Sequence, residues 1–570
     1  MKNNINNQNI IKRLTELIII VIKKFDKKSA LLLVLGGALF LVSFTDSALF
    51  KINKSFDVFG AVFREISANY VDEIDPEDLM KLGIEGLLSN LDPYTTFYTE
   101  TEADDLEVIT NGVYTGIGIT VGVQDSMLTI LGLSEGFSAQ RNGVRIGDRL
   151  YKIDTTIVLS INSQELRKYT RGAPGSPVNV WVIRDGVPDT LHYKLKREQI
   201  QLKNIAYAKI IYDSIAYIKL ERFTRSTGDE MQRAIANLKN SGRVRGMILD
   251  LRDNPGGLLE AAVDVCELFV PKGSLIVSTK GRSNESRKSY KSTSDPIEPT
   301  LPLAVLIDDG SASASEIVAG AIQDLDRGII IGRRSYGKGL VQSVFDMPYK
   351  GNLKITTARY YTPSGRCIQK SDFAVRLNKK LSDTATNHGT GTFYTINGRK
   401  VTENKGISPD SLINEEKYPD FVREMLKNSI FFNFANQFAA KLDSLPKEFK
   451  VVDEVLEQLK LFIEKRNFLQ STPLVRQIKK ARQLAEEEKL STETINEFKN
   501  LESSILLEEK HLIDTYTEQI SDILDYEISS RLTTQAEAVA RQIKYDKDIR
   551  AAIGLVNSKK YRQILAVKDK

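Results

Sequence analysis

The chain of 570 residues contains few side chains that bind metals or form disulfides. It has two cysteines, Cys266 and Cys367, and three histidines, His192, His388 and His511. Two cysteines cannot build a disulfide framework, and Cys266 lies inside the apolar helical pattern AAVDVCELFV, which is typical of a core thiol. The composition therefore predicts neither a metal site nor a cofactor.

The chain also has no large excess of charge of either sign. It carries 79 Lys and Arg against 74 Asp and Glu, so no broad basic surface indicates a nucleic-acid partner. A chain of 570 residues is too long for one hydrophobic core, and several domains are expected.

A single long apolar run occurs near the N-terminus, at residues 29–45. The 28 residues before it carry seven Lys or Arg and two Asp or Glu. The run is short for a membrane helix and long for a signal peptide, and no clear cleavage site follows it. We expect residues 1–50 to be a basic cytoplasmic segment with an uncleaved membrane anchor; a cleaved signal or a buried core helix is the alternative. The rest of the chain would then be exported to the cell envelope, which in a Gram-negative bacterium is the periplasm.

Changes in sequence pattern predict four regions after this run. Residues 52–110 show helical apolar spacing, and residues 111–198 show short strands separated by glycines, which indicates a β-rich module. Strands alternate with helices over residues 199–411, which predicts an α/β core with a loop insertion at 370–399. Residues 412–570 predict an all-α domain that could bind an adaptor or self-associate. The expected fold class is multidomain α+β.

The stretch DDGSASASEIVAGAIQD, at residues 308–324, is the first candidate for chemistry. It follows the strand-like run LPLAVLID and precedes a helical pattern, so its serines lie in a strand–turn–helix unit. A serine at a helix start often only caps the helix. It can also be a nucleophile, because the free N–H groups and the helix dipole stabilise an oxyanion.

A serine nucleophile requires a base. The three histidines lie in the β-rich module, the insertion and the helical region, which argues against a Ser-His-Asp triad. Lys338 is the alternative base and lies between two glycines in GRRSYGKGLVQ, although most lysines in such turns are surface residues.

Several motifs together resemble one peptidase family. They are SASASEIVAG, GRRSYGKGLVQ, DLRDNPGG, LDPYTTFY, YYTPSGR and KGISPD. The chain resembles the C-terminal processing peptidases, or tail-specific proteases, of the S41 serine peptidase family over about residues 56–411. This resemblance implies a crotonase-like α/β core and a catalytic dyad of Ser313 and Lys338, which are 25 residues apart as in the family. It also implies that Gln342 assists the lysine.

The resemblance also implies the source of the oxyanion donors and the state of the base. The donors would be the N–H groups of Ala314 and of Gly256 or Gly257. An ordinary lysine pKa of about 10.4 leaves very little neutral amine at pH 7, so a dry cleft would have to lower the pKa of Lys338. Glu316 is expected either to stabilise the helix start or to support the site.

The resemblance identifies the β-rich module as a PDZ domain. The sequence GIGI matches its carboxylate-binding loop, in which the N–H groups of Ile117, Gly118 and Ile119 would bind a C-terminal carboxylate. Arg171 matches an Arg–Gly turn of the family and would either couple the module to the active site or lie at the surface. The implied function is a serine endopeptidase that binds free C-terminal tails and cleaves exported proteins near their C-termini. The module would anchor substrate, close the site when empty, or do both.

Two other functions are compatible with parts of the sequence. Crotonase-like acyl-CoA enzymes also combine an α/β core with an oxyanion hole at a helix start, but the export signal and the β-rich module argue against this class. A membrane-tethered PDZ scaffold without peptidase activity is the second alternative. The presence of Ser313, Lys338 and Gln342 together argues against it.

Overall fold

The computed structural model describes residues 49–159, 163–212, 214–370, 391–403, 405–414, 418–442 and 444–566. The chain divides into two compact units, Met1–Asn90 and Leu91–Lys570. Within the described ranges no helix is long and apolar enough to cross a membrane. The run at residues 29–45 lies outside those ranges, so the anchor stays a prediction.

The described part of the first unit is helical. Helix α1 covers residues 49–69 and helix α2 covers Pro76–Leu88. Asp75 caps α2, because its side chain accepts hydrogen bonds from the N–H groups of Glu77 and Asp78, and Pro76 occupies the first helical position.

The second unit begins with a strand where only helix was expected. Strand β1, Thr96–Tyr98, lies within LDPYTTFY and is followed by helix α3, Ala103–Asn111. The three residues of β1 pair with a distant strand in the chain, and such a short segment has too little periodicity to distinguish strand from helix.

The β-rich module folds around its own apolar core. Its sheet has the strand order β3-β4-β5-β7-β8, with β6 paired to β5, and β2 pairs separately with β9. Alternate residues Val178, Val180 and Val182 of β7 are buried, as the two-residue period of a half-buried strand requires. The elements of the module are β2 Val113–Gly116, β3 Ile119–Gln124, β4 Met127–Leu133, α4 Ser138–Arg141, β5 Arg149–Ile153, β6 Thr156–Ile157, α5 Ser163–Thr170, β7 Pro177–Ile183, β8 Leu191–Lys196 and β9 Glu198–Gln201.

The α/β core is built on a six-stranded sheet with the order β10-β11-β12-β15-β16-β21. Only the β10–β11 pair is antiparallel. Strands β12, β15 and β16 are buried along their whole length, because both faces of a parallel sheet are covered. The elements are β10 Ile205–Ile211, β11 Ile215–Leu220, α6 Thr227–Ser241, β12 Gly246–Asp250, α7 Leu259–Glu267, β15 Leu303–Ile307, α8 Ala314–Asp324, β16 Ile329–Gly332 and β21 Ser411–Leu412.

The chain also forms a second sheet, which is antiparallel. Most of its strands come from segments that lie between core strands in the sequence. Its order is β1-β18-β13-β14, with β17 also paired to β18. Its later strands are β13 Leu275–Gly281, β14 Lys288–Lys291, β17 Leu340–Asp346 and β18 Asn352–Tyr361. Residues 371–390 lie outside the described ranges. Strand β19, Thr392–Tyr394, lies near the end of the expected loop insertion and pairs with β20, Lys400–Thr402, which follows the insertion. Arg399 is buried there and pairs with Asp326 and Asp410, so this part of the insertion packs into the core.

The C-terminal region is helical, as the sequence predicts, but it is not a separate tail. Strand β21 belongs to the core sheet, so the sheet extends past the expected boundary after residue 411. Among the described helices of this region, five of the first six share an apolar core, to which α12 contributes no residue, and the last three pack on the core sheet. The first six are α9 Asp420–Lys427, α10 Ile430–Ala439, α11 Asp453–Lys465, α12 Pro473–Glu487, α13 Thr492–Thr515 and α14 Thr517–Leu532. The last three are α15 Gln535–Ile543, α16 Lys547–Val556 and α17 Lys559–Leu565.

Packing of the last three helices explains why the core sheet is buried on both sides. Helices α6, α7 and α8 cover one face, which includes Leu249 and Val305. Helices α15, α16 and α17 cover the other face, which includes Ile248 and Leu306. The core is therefore a three-layer structure, and the end of the chain supplies one layer.

Candidate active site

Ser313 lies at the turn between strand β15 and helix α8. Its backbone has φ 54° and ψ −112°, a conformation that a residue with a Cβ rarely adopts. Such strain costs about 1–3 kcal/mol and is found mainly at functional sites. Asp308 holds the turn, because its carboxylate accepts hydrogen bonds from the backbone N–H groups of Gly310 and Ser311.

The three serines of this stretch have different surroundings. The buried Ser311 hydroxyl donates to the Leu251 carbonyl at 2.7 Å, and the buried Ser315 hydroxyl donates to the Asn254 carbonyl at 2.9 Å. Ser313 is half-buried, and its hydroxyl donates no hydrogen bond to any described residue. Two of the serines therefore fasten the turn to the neighbouring loop, and Ser313 is the one whose hydroxyl can face a substrate.

Glu316 is fully buried and joins the start of α8 to the turn that carries Lys338. One carboxylate oxygen accepts the backbone N–H groups of Ser313 and Lys338, both at 2.9 Å. The other accepts the Gly337 N–H at 2.7 Å and the Ser335 hydroxyl at 2.6 Å. Burial raises the pKa of Glu316 to about 7, although these four hydrogen bonds favour the ionised form.

Tyr360 makes a second connection between the two backbones. It is buried at the end of β18, and its hydroxyl contacts the carbonyl oxygens of Ser313, at 3.1 Å, and of Lys338. Burial raises the pKa of Tyr360 well above its ordinary value, which keeps the hydroxyl a donor. Tyr360 and Glu316 together fix Ser313 and Lys338 relative to each other.

The side chain of Lys338 is half-buried, in the turn before β17. Its Nζ lies 4.4 Å from the centre of the Tyr94 ring. Burial lowers the pKa of Lys338, and the positive charge of Lys354 lowers it further, whereas Glu316 and Asp92 oppose the shift. These surroundings therefore shift Lys338 towards the neutral amine.

Tyr94 owes its position to the LDPYTTFY motif. The Asp92 carboxylate accepts hydrogen bonds from the backbone N–H groups of Tyr94 and Thr95, both at 2.8 Å, and from the Thr95 hydroxyl at 3.0 Å. This Asx turn is a recognisable signal in Asp-Pro-Tyr-Thr, but the sequence did not show which side chain the Tyr94 ring would contact.

The structure does not join the side chains of Ser313, Lys338 and Gln342 by hydrogen bonds. Gln342 lies on β17, and its Nε2 donates to Thr356 Oγ1 at 3.3 Å. The three residues come from adjacent elements, and Lys338 points to Tyr94.

The DLRDNPGG loop, residues 250–257, lies against the Ser313 turn. The Asn254 carbonyl accepts the Ala312 N–H at 3.0 Å, and the Asn254 side chain accepts the Gly256 N–H at 2.9 Å. Gly256 has φ +98°, and a Cβ there would lie 2.8 Å from the Ala314 nitrogen. Only glycine allows the two loops to approach this closely.

The N–H groups of Gly257 and Ala314 have no acceptor among the described residues. Gly257 is exposed, and a Cβ there would lie 2.1 Å from the Phe223 carbonyl oxygen. These two free N–H groups lie on the two loops that meet beside Ser313. Such a pair of donors can stabilise an oxyanion.

The predicted carboxylate-binding loop lies between β2 and β3 of the module. The Ile117 carbonyl accepts the Ala139 N–H at 3.0 Å, and the Gly118 carbonyl accepts the Ser134 N–H at 2.9 Å. Strand β3 begins at Ile119 and is the last strand of its sheet, so no described strand pairs with its outer side.

Arg171 lies near this loop. The centre of its guanidinium is 6.0 Å from the ring centre of Tyr114 on β2, and the structure does not bring it into contact with Ser313 or Lys338. Tyr114 is also close enough to Arg222 of the core for their charges to interact.

Neither of the two histidines that the structure describes is part of this site. His192 stacks on Trp181 with ring centres 4.3 Å apart, and His511 is exposed on α13. His388 lies outside the described residues. In the part of the chain that the structure describes, no group of three or more His, Cys, Asp or Glu side chains could hold a metal ion.

Comparison with known proteins places these motifs in one family. The family model "Peptidase family S41" matches residues 214–377, and the model "Probable PDZ-protease, C-terminal helical domain" matches residues 421–556. The chain is 37% identical over 314 residues to a carboxy-terminal-processing protease of Bartonella bacilliformis, which covers 55% of this chain and 72% of that protein. It is 31% identical over 343 residues to the carboxy-terminal processing protease CtpA of Bacillus subtilis, with 60% and 71% covered.

A solved structure is also similar. The photosystem II D1 C-terminal processing protease shares 27% identity with this chain, and the match covers 63% of this chain and 87% of that one with a TM-score of 0.35. The sequence relatives confirm the expected family and enzyme class and do not support the acyl-CoA enzyme or the inactive scaffold. The chain is a serine peptidase and belongs to the carboxy-terminal processing proteases of peptidase family S41.

Proposed function

We propose that the protein is an endopeptidase whose nucleophile is Ser313 and whose general base is Lys338. The observation that carries this proposal is the strained serine, tied through Glu316 and Tyr360 to a half-buried lysine whose pKa is lowered by burial. Loss of peptide cleavage on replacement of either residue tests it.

The reaction follows from these roles. The neutral Lys338 amine accepts the proton of Ser313 Oγ as this oxygen bonds to the scissile carbonyl carbon. The N–H groups of Ala314 and Gly257 hold the oxyanion, because the Gly256 N–H is already bound to Asn254. The C–N bond then breaks, and the Lys338 ammonium returns the proton to the leaving amine. Water hydrolyses the ester with Lys338 again acting as base.

This mechanism requires a change of side-chain conformation. Lys338 Nζ must move from the Tyr94 ring to Ser313 Oγ, and Gln342 must leave Thr356 if it is to orient the amine. Catalytic hydrogen bonds are often absent before substrate binds and form in the complex. We propose that substrate binding selects this second conformation, since the backbone positions are already fixed.

The β-rich module is proposed to be a PDZ domain that binds the C-terminal tail of a substrate. The supporting observation is the position of β3 as an edge strand of the described sheet, directly after the loop of Ile117, Gly118 and Ile119. A tail would add as a strand to this edge and place its carboxylate on the loop N–H groups. Arg171 lies beside this loop, where its charge would favour the carboxylate.

Amidation of a peptide substrate at its C-terminus should lower its cleavage rate about ten- to a hundredfold. The amide removes a charge and weakens hydrogen bonds to charged groups, which are worth roughly 1.5–3 kcal/mol. The measurement compares kcat/KM for the free-acid and amidated forms of one peptide, with N-terminal acetylation as the matched control. In Gly118→Pro, which removes an N–H donor, the two forms should be cut at similar rates. Equal rates in the wild-type enzyme would contradict tail binding.

We further propose that the peptidase acts in the cell envelope, on the periplasmic side of the inner membrane. The basic N-terminus before residues 29–45 supports this orientation. A reporter enzyme fused after residue 60 should be active only outside the cytoplasm. Activity of the same fusion in the cytoplasm would contradict export.

A further inference from the structure

The N-terminal end of helix α16 contacts two loops that belong to the site proposed above. Asp546 and Asp548 lie there, 208 or more residues after the Lys338 turn, and both pair with Arg252 of the DLRDNPGG loop. The Arg252 side chain is 12% exposed and that of Asp548 is 8% exposed. These ion pairs are therefore largely shielded from water, where charge pairing has the greatest effect on geometry.

Arg252 uses its whole guanidinium in these contacts. Its Nε and Nη2 donate to the two oxygens of Asp250, at 3.0 and 2.6 Å. Its Nη1 and Nη2 donate to the two oxygens of Asp546, at 3.2 and 2.8 Å, and Nη1 also donates to Asp548 at 3.1 Å. A guanidinium has five N–H donors, so every one has an acceptor and the side chain can take only one orientation.

Arg252 lies only two residues before Asn254, which organises the oxyanion loop. The Asn254 side chain fixes the Gly256 N–H, and its carbonyl accepts hydrogen bonds from Ala312 and Ser315 beside Ser313. A displacement of Arg252 would therefore move the peptide that presents the Gly257 N–H.

Asp548 also reaches the loop that carries the nucleophile. It accepts a hydrogen bond from Arg333 at 3.2 Å, and Arg333 lies 3.7 Å from Asp308. Asp308 in turn accepts the N–H groups of Asp253 and Ser311. The Asp548 carboxylate is thus connected to the DLRDNPGG loop through Arg252 and to the Ser313 turn through Arg333.

We propose that Asp548 is a positioning residue for the oxyanion hole: through Arg252 and Arg333 it fixes the two loops that present the Gly257 and Ala314 N–H groups. This inference rests on the proposed Ser313 site. It gives helix α16 a role in the chemistry that acts through Arg252 and Arg333. If Asp548 had a purely structural role, its replacement would lower the stability of the protein. The enzyme would still bind the transition state more tightly than the substrate by the same factor as the wild type.

Asp548→Asn is the test, because it keeps the size of the side chain and removes the charge. Asp546 is less suitable, since it also caps α16 by accepting the Ile549 N–H at 2.9 Å. Asp525→Asn is the matched control: Asp525 is a buried helical-region carboxylate that pairs with Arg541 at 3.0 Å, away from both loops. We expect Asp548→Asn to lower kcat about tenfold with KM changed less than twofold, and Asp525→Asn to change neither.

A peptide aldehyde supplies a readout that does not depend on turnover. It forms a tetrahedral adduct with a serine nucleophile, so its affinity reports the oxyanion hole. Inhibition by the aldehyde should weaken about tenfold in Asp548→Asn. Binding of the parent peptide to Ser313→Ala should be unaffected by the added Asp548→Asn change. An unchanged kcat and aldehyde affinity in folded Asp548→Asn would overturn the proposal.

Two further outcomes separate this inference from the proposed function. If the aldehyde fails to modify Ser313 in the wild-type enzyme, the proposed nucleophile is wrong, whatever Asp548→Asn shows. If Asp548→Asn does not fold, Arg333→Gln replaces it, because the Arg333 side chain is 28% exposed and the change leaves the Arg252 contacts in place. A several-fold loss of kcat at constant KM in that variant supports the proposal, and wild-type kcat overturns it.

Discussion

Replacement of Ser313 by alanine, or of Lys338 by arginine, is expected to lower kcat by roughly 10⁴-fold or more while the protein stays folded. Ser313→Ala removes the atom that forms the acyl-enzyme. Lys338→Arg preserves a long basic side chain beside Tyr94, but a guanidinium does not lose its proton and cannot act as a base. The rate of cleavage of a fluorogenic peptide, with circular dichroism to verify folding, provides the measurement.

The histidines provide the controls for this prediction. His192→Ala and His511→Ala should retain wild-type kcat, because His192 stacks on Trp181 and His511 is exposed on α13. Substantial activity in Lys338→Arg would exclude lysine as the base. A complete loss of activity in one folded histidine variant would instead favour a serine–histidine pair.

Glu316→Gln should lower kcat about a hundredfold and also lower the melting temperature. The carboxylate is the acceptor in all four of its hydrogen bonds. Two of the donors are the backbone N–H groups of Ser313 and Lys338. The amide nitrogen of glutamine is itself a donor, so the two donors that face it lose their acceptor. Each buried group left without a partner costs about 1–3 kcal/mol of stability. Ser313 and Lys338 share one carboxylate oxygen, so an amide nitrogen in its place would remove both bonds that connect the nucleophile to the base.

Ser335→Ala is the matched control for Glu316→Gln. It removes one donor to Glu316 but leaves the bonds from Ser313 and Lys338 in place. This variant should be less stable than the wild type and retain most of its kcat. If Glu316→Gln also keeps most of its kcat, Glu316 contributes to stability and not to the geometry of the site.

Sequence reasoning located the parts of the site that are local in the chain. The apolar run before residue 308 and the helical pattern after it were enough to place Ser313 at a strand–turn–helix junction, because a buried parallel strand is a continuous apolar run. The resemblance to the family separated Ser313 from Ser311 and Ser315, and the structure adds that the other two hydroxyls are buried and hydrogen-bonded.

The long-range contacts could not be predicted in this way. Tyr360 and Tyr94 reach the site from distant segments, and no periodicity shows which residues a buried tyrosine will contact. The preference for Gly257 over Gly256 depends on the direction of one N–H group, which the sequence does not determine.

The packing of the C-terminal helices was missed for a related reason. The apolar face of an amphipathic helix shows that it is buried, but it does not identify the surface that covers it. Helices α15 to α17 therefore read as part of a separate domain, whereas they cover one face of the core sheet.

Lys338 is proposed to act as a neutral base. The most direct test is to measure how kcat/KM depends on pH in the wild type and in Lys354→Gln. Burial and the charge of Lys354 both lower the pKa of Lys338, so the wild-type rate should rise with pH and level off below the ordinary lysine pKa of about 10.4. Removal of the Lys354 charge stabilises the Lys338 ammonium, which raises its pKa. The midpoint of the profile should therefore move to higher pH in Lys354→Gln. A midpoint that stays in place, or a rate that does not change between pH 6 and 9 with chemistry limiting, would contradict it.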